Sequence, residues 1–113
     1  MNAHSEALRE MVKRWTQIVA DVGRGYALTF DDYLNDLDLR RQIDQRLWEL
    51  ELGETNVDEG IREVLADVDE TFREVTVAME ENVWGDENAR DEGWSAEREW
   101  FYYRMPIERP KGW

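Results

Sequence analysis

Apolar residues recur along most of this chain at three- and four-residue steps. Ala7, Leu8, Met11, Val12, Trp15, Ile18, Val19 and Val22 share one face if each residue turns by ~100°, which predicts an amphipathic helix over about 3–22. Asn2 or Ser5 can cap its start, and Gly23-Arg24-Gly25 ends it. Thr29 followed by Asp32 has the spacing of a capping box, so a second helix starts at 30. Phe30, Tyr33, Leu34 and Leu37 then share one face, and Leu39, Ile43, Leu47 and Leu50 another, rotated by about 140°. One straight helix does not point both sets at one core. The pattern therefore predicts a break at Asn35-Asp36-Leu37-Asp38, where Asx side chains end one helix (30–37) and cap the next (38–52).

Gly53-Glu54-Thr55-Asn56 reads as a turn, with Asn56 and Glu59 as a further reciprocal cap. Beyond it, Val57, Ile61, Val64, Val68, Phe72, Val75, Met79 and Val83 are spaced 4-3-4-4-3-4-4. That eleven-residue period predicts one nearly straight helix over 57–84, roughly 40 Å long at ~1.5 Å per residue. It would overhang its neighbours. Residues 85–94 read as a polar loop. In the tail, 95–113, Ser95 can cap a short helix through 96–100, and Pro106 disfavours helix at Met105. The expectation is a single all-α domain, 1–113: a bundle of about four helices with an aromatic C-terminal tail packed on the long last helix.

Charge changes that picture from a fold to a surface. The 113 residues carry a formal net charge of -13. Residues 1–25 and 94–113 each come to +1, so 26–93 holds 21 acids against six arginines. Two readings follow: general solvation of an acidic surface, or recognition of a basic partner. The near-absence of lysine (only Lys13 and Lys111, against twelve arginines) suits the first. There is no cysteine, no long apolar run and no signal-peptide pattern, which points to a cytoplasmic protein with no membrane contact.

Catalytic chemistry finds little to work with. The single histidine is His4 and the serines are Ser5 and Ser95, so no nucleophile–base pair is visible and no catalytic residue is assigned. No cofactor or metal site is assigned either. Asp86, Asn88 and Glu97 fall at the first, third and twelfth positions of a calcium-loop spacing, but Arg90 and Asp91 stand at positions that need a ligand and a glycine. The ladder Glu59, Glu63, Asp67, Glu70 and Glu74 lies about 200° from the apolar stripe and faces solvent. Its charges recur every ~5 Å along one helix, against one per ~1.7 Å in duplex DNA, so mimicry needs help from neighbouring acids such as Asp31, Asp36 and Asp44.

The stretch Trp100-Phe101-Tyr102-Tyr103 is the other candidate. Four consecutive rings cannot all face one core. Some cover the long helix, and the remainder, with Trp94, Arg104 and Trp113, suit a binding or oligomer surface. The negative field repels phosphate, so direct nucleic-acid binding is not expected. The reading is a binding protein rather than an enzyme, of the inhibitor, antitoxin, immunity or accessory-subunit kind, and a homodimer. It docks a basic protein partner through Glu63, Asp67, Glu70 and Glu74, with Trp94, Trp100, Tyr103, Arg104 and Trp113 as anchors. A carboxylate-metal nucleotide hydrolase (Mg or Mn) and a nucleic-acid mimic stand as alternatives.

Overall fold

The computed structural model describes residues 3–53, 57, 59–111 and 113, with side chains from residue 6 onward. The expected caps at Asn2, Ser5 and Asn56, the turn over 54–56 and the His4 side chain lie outside the described residues. Helix is the main content, in the order α1 (Ala3–Gly25), α2 (Phe30–Leu52), α3 (Glu59–Glu74), β1 (Thr76–Ala78), α4 (Asp86–Glu92), a 3-10 turn (Trp100–Tyr103) and β2 (Arg104–Pro106).

α1 follows its pattern closely. Leu8, Val12, Trp15, Ile18, Val19 and Val22 are buried and Met11 packs on them. Gly25, at φ 103, ends the helix in a conformation that L side chains resist, and the reversal turns Tyr26 inward. Tyr26 N–H then donates to Glu108 O at 3.2 Å, fastening the chain's last segment to the end of α1.

α2 is one helix, and the expected break at 35–38 is absent. Its start is the predicted capping box: Asp32 N–H donates to Thr29 Oγ1 and Thr29 N–H to Asp32 Oδ2, both at 3.1 Å. The two supposed faces are joined by a buried row, Tyr33, Leu37, Arg40, Ile43, Leu47 and Leu50, which winds gradually around the helix. Arg40 is the hidden member. The Asx side chains meant to cap are used elsewhere, since Asp36 accepts from the Tyr26 hydroxyl and Asp38 from Arg41, Gln42 and the Tyr102 hydroxyl.

The expected helix over 57–84 is also overturned: α3 stops at Glu74. Val75-Thr76-Val77 is a β-branched run that favours extended backbone. Thr76 Oγ1 donates back to Phe72 O at 2.6 Å, closing the last turn, and β1 then pairs antiparallel with β2. The register sets Thr76 opposite Pro106, Val77 opposite Met105 and Ala78 opposite Arg104. Apolar spacing persists past the helix end because Val75 and Val83 still pack on the core, through a hairpin rather than another helical turn. Nothing overhangs.

The polar loop expected at 85–94 contains α4 instead. It lies between Gly85 (φ 94) and Gly93 (φ 75), carries Asp86 and Glu87 in its first turn, where the helix dipole favours acids, and buries Ala89. In the tail, Ser95 Oγ accepts from Arg98 N–H, but the segment forms turns and a 3-10 helix rather than a short α-helix. With three residues per turn, Trp100 and Tyr103 lie on one side and are half-buried. Phe101 and Tyr102 lie on the other and are fully buried. Each contributes on the order of 1.5–3 kcal/mol of burial.

One polar cluster joins these elements inside the core. Asp69 of α3 takes Arg40 Nε on Oδ1 at 2.9 Å and Arg40 Nη2 on Oδ2 at 2.8 Å. Trp15 Nε1 of α1 donates to the same Oδ1 at 3.0 Å. Arg40 and Asp69 are only 5% and 7% exposed, so this is a bidentate ion pair in low dielectric. Arg40 also bonds Asp44 and lies 5.4 Å from the Phe101 ring centre.

Removing one partner strands the other's charge. Asp69→Leu is expected to lower stability by on the order of 3–5 kcal/mol, and Arg40→Met by a similar amount. The double variant should lose clearly less than the sum of the two. Urea denaturation with a double-mutant cycle measures this, and additive losses would mean the pair is not coupled.

Candidate partner-binding surface

The solvent face of α3 follows from its phase. Ile61, Leu65, Asp69 and Phe72 point inward, so Glu63, Asp67, Glu70 and Glu74 point outward, and all four are exposed. Other carboxylates are differently used. Asp44 and Asp69 hold Arg40, Asp38 holds Arg41, Glu51 holds Arg62 and Asp21 holds Arg24. Among the described residues, none of the four outward acids of α3 is in an ion pair.

The aromatic and basic candidates do not converge on that face. Trp100 borders it: its ring packs on Phe72, with centroids 6.0 Å apart, and Arg73 of α3 stacks over it at 3.8 Å. Trp94 lies 4.9 Å from Tyr102 and 6.2 Å from Trp84, and its N–H donates to Ala89 O, closing the end of α4. Trp113 joins a separate group with Tyr26, Phe30 and Tyr33, all centroids within 5.5 Å of it. Tyr103 contributes its carbonyl to Met79 N–H at 2.7 Å. Arg104 is a clasp. Its Nε donates to Thr76 Oγ1 at 2.7 Å, and its Nη2 to Arg73 O in the last turn of α3 and to Thr76 O at the start of β1.

Large exposed apolar side chains lie elsewhere, one of them a ring. Trp48 is 61% exposed and Leu52, one turn later on α2, is 64% exposed. Trp48 lines a groove of about 610 Å³ between α2 and the α4–tail junction, together with Arg41, Gln45, Trp94, Arg98 and Glu99. A signal was present in the sequence, because Trp48 and Leu52 fall outside both apolar faces of residues 30–52, although neither residue was a surface candidate there.

The calcium-type spacing is spent on local structure. Asp86 Oδ1 accepts from Asn82 N–H at 3.1 Å, Asn88 Nδ2 donates to Trp84 O at 2.6 Å, and 86–92 is helical. Among the described residues no three acidic or histidine side chains gather around a cation position. No helix among them is long and apolar enough to cross a membrane.

One acid is placed against its own ionisation. Asp36 is half-buried beside the Tyr26 hydroxyl, and burial raises its pKa above the ordinary carboxylate range, more than Tyr26 and Arg14 lower it. A carboxyl whose folded pKa is raised costs stability once both states are ionised, and that cost disappears in acid. Asp36→Asn keeps an acceptor for Tyr26 and removes the charge. Its melting temperature should exceed the native one at neutral pH, with the gain vanishing as pH falls below about 4. Melting curves across pH test this; an unchanged or lowered midpoint at neutral pH would contradict the assignment.

No protein-family model, curated protein or solved structure matches this chain.

Proposed function

We propose that the chain acts by protein–protein contact, docking a partner with a basic surface through the outer face of α3. It would serve as an inhibitor, antitoxin, immunity factor or accessory subunit, in the cytoplasm and without catalysis. The carrying observation is the contrast between acids held by arginines and the exposed, unpaired set Glu63, Asp67, Glu70 and Glu74. Like charges one helical turn apart destabilise a helix by ~0.2–0.5 kcal/mol per pair, so the fold gains nothing from grouping them. A basic partner relieves that repulsion and is steered towards it. Trp48 and Leu52 supply exposed apolar area for residence, and Trp100, under Arg73, borders the acidic face as a secondary anchor. Trp94 stands in the Trp48 groove, while Tyr103, Arg104 and Trp113 act by holding the tail that shapes these surfaces.

The test compares the native chain with a variant carrying Glu63→Gln, Asp67→Asn, Glu70→Gln and Glu74→Gln, each as bait in extract of the source cell. Kinetics are then measured with the retained protein. Association should slow by at least about tenfold at low salt with little change in the off-rate, and added salt should reproduce the effect on the native chain. Trp48→Ala should instead raise the off-rate. A variant that retains the same partner with an unchanged on-rate at low salt would show that the acids only solvate the surface.

A further inference from the structure

α1 and α3 lie side by side and run in the same direction. Trp15 meets Asp69 and Phe72, and eight residues on, Gly23 lies beside Val75. Nearer their N-terminal ends they leave an open groove of about 630 Å³, floored by Val12, Ile61 and Val64. Val64 is 48% exposed there, an apolar side chain left about half in water.

The two walls of this groove are alike in spacing and opposite in character. On α1, Arg9, Lys13, Thr16 and Ala20 form one exposed row with steps of 4-3-4. On α3, Gly60, Val64, Asp67 and Thr71 form another with the same steps, all exposed, and Glu63 flanks it. The first row is basic at its head; the second carries acid. Thr16, Ala20, Gly60 and Thr71 are small enough to let two helices approach closely.

We infer that this face binds a second copy of the chain, with Lys13 of each copy set against Asp67 and Glu63 of the other across the paired apolar floors. The symmetry selects the arrangement. A two-fold axis along the helices places α1 of one copy on α3 of the other, so each basic row meets an acidic row twice over. An axis across the helices would set Lys13 on Lys13 and Asp67 on Asp67, which is repulsive. The net charge of -13 opposes self-association at long range, but at ~0.15 M ionic strength the Debye length is ~8 Å, and repulsion beyond the contact is screened. The inference shares Asp67 and Glu63 with the docking proposal, so the second copy and a basic partner would compete for that end of the acidic face; Lys13 and Val64 belong to the dimer contact alone, and Lys13→Glu tests it separately.

Sedimentation equilibrium at this ionic strength tests it with two surface variants, Lys13→Glu and Asp67→Lys, each checked for native helicity by circular dichroism. The native chain should sediment at twice the chain mass. Each variant alone places like charges together at both contacts and should dimerise at least about tenfold more weakly. An equimolar mixture restores an opposite pair at both contacts and should return to the dimer mass, while changing nothing in the acidic face beyond Asp67. A monomeric native chain overturns the inference, as does either variant dimerising like the native chain, or a mixture that stays monomeric.

Discussion

The ion pair between Arg40 and Asp69 is the constraint to which the rest of this fold is fitted. A guanidinium at 5% exposure would be untenable without a carboxylate in bidentate contact, because burial alone would push its pKa down. Here the hydrogen bonds and charge of Asp69 more than offset that, and the pKa is raised instead. The geometry is directional in a way that apolar packing is not. Two parallel N–H donors fix the rotation of α2 against α3, and Trp15, donating to the same oxygen, fixes α1 against both. Phe101 beside the guanidinium brings the tail into the same arrangement. Four segments far apart in sequence thus share one polar centre, and a small shift in any of them breaks a bond in low dielectric.

The same pair explains where the sequence was misleading. Reading Arg40 as an ordinary solvent-facing charge removes the middle of the buried row in α2 and leaves two short apolar faces that look like two helices. Asp69 is likewise lost among the acids of α3, although it is the one on the inner face. Nothing local in either residue announces burial; it depends on a partner 29 residues away. α1 was legible throughout because its core side is apolar without interruption apart from small or polar flanks, and because Gly25 is followed by a clear cap at Thr29. α3 was over-extended for a different reason. A spacing of three and four residues survives in Val75 and Val83 after the helix ends, and periodicity alone does not separate a helix from a hairpin that returns to the same core. The β-branched Val75-Thr76-Val77 held the contrary signal.

The acidic face was legible from phase alone, since the positions of Glu63, Asp67, Glu70 and Glu74 follow once Ile61, Leu65 and Phe72 are inward. The rings were not. A run of four aromatics has no period that names its inward members. The choice is made by the 3-10 turn, which groups Trp100 with Tyr103 and sends Phe101 and Tyr102 inside. That turn is set by its surroundings, with Tyr102 and Tyr103 carbonyls taken by Val83 and Met79 N–H groups. Local sequence does not contain those partners.

Shape and charge then meet in one limit. The body measures 45 × 32 × 20 Å, so across its thin dimension there is room for two layers of helix at the ~10 Å diameter of each. In a two-layer body every helix keeps one face in water, and a chain with 27 acids can leave those faces bare. Some are paired within the chain, as at Asp38, Asp44 and Glu51. Among the exposed remainder, Glu63, Asp67, Glu70 and Glu74 share the outer side of α3, beside a groove whose far wall, on α1, is basic. A surface that is acidic by composition alone would not need Arg9 and Lys13 placed against an apolar seam. Their position makes the α1–α3 side a polar-edged hydrophobic face, the form that protein interfaces take.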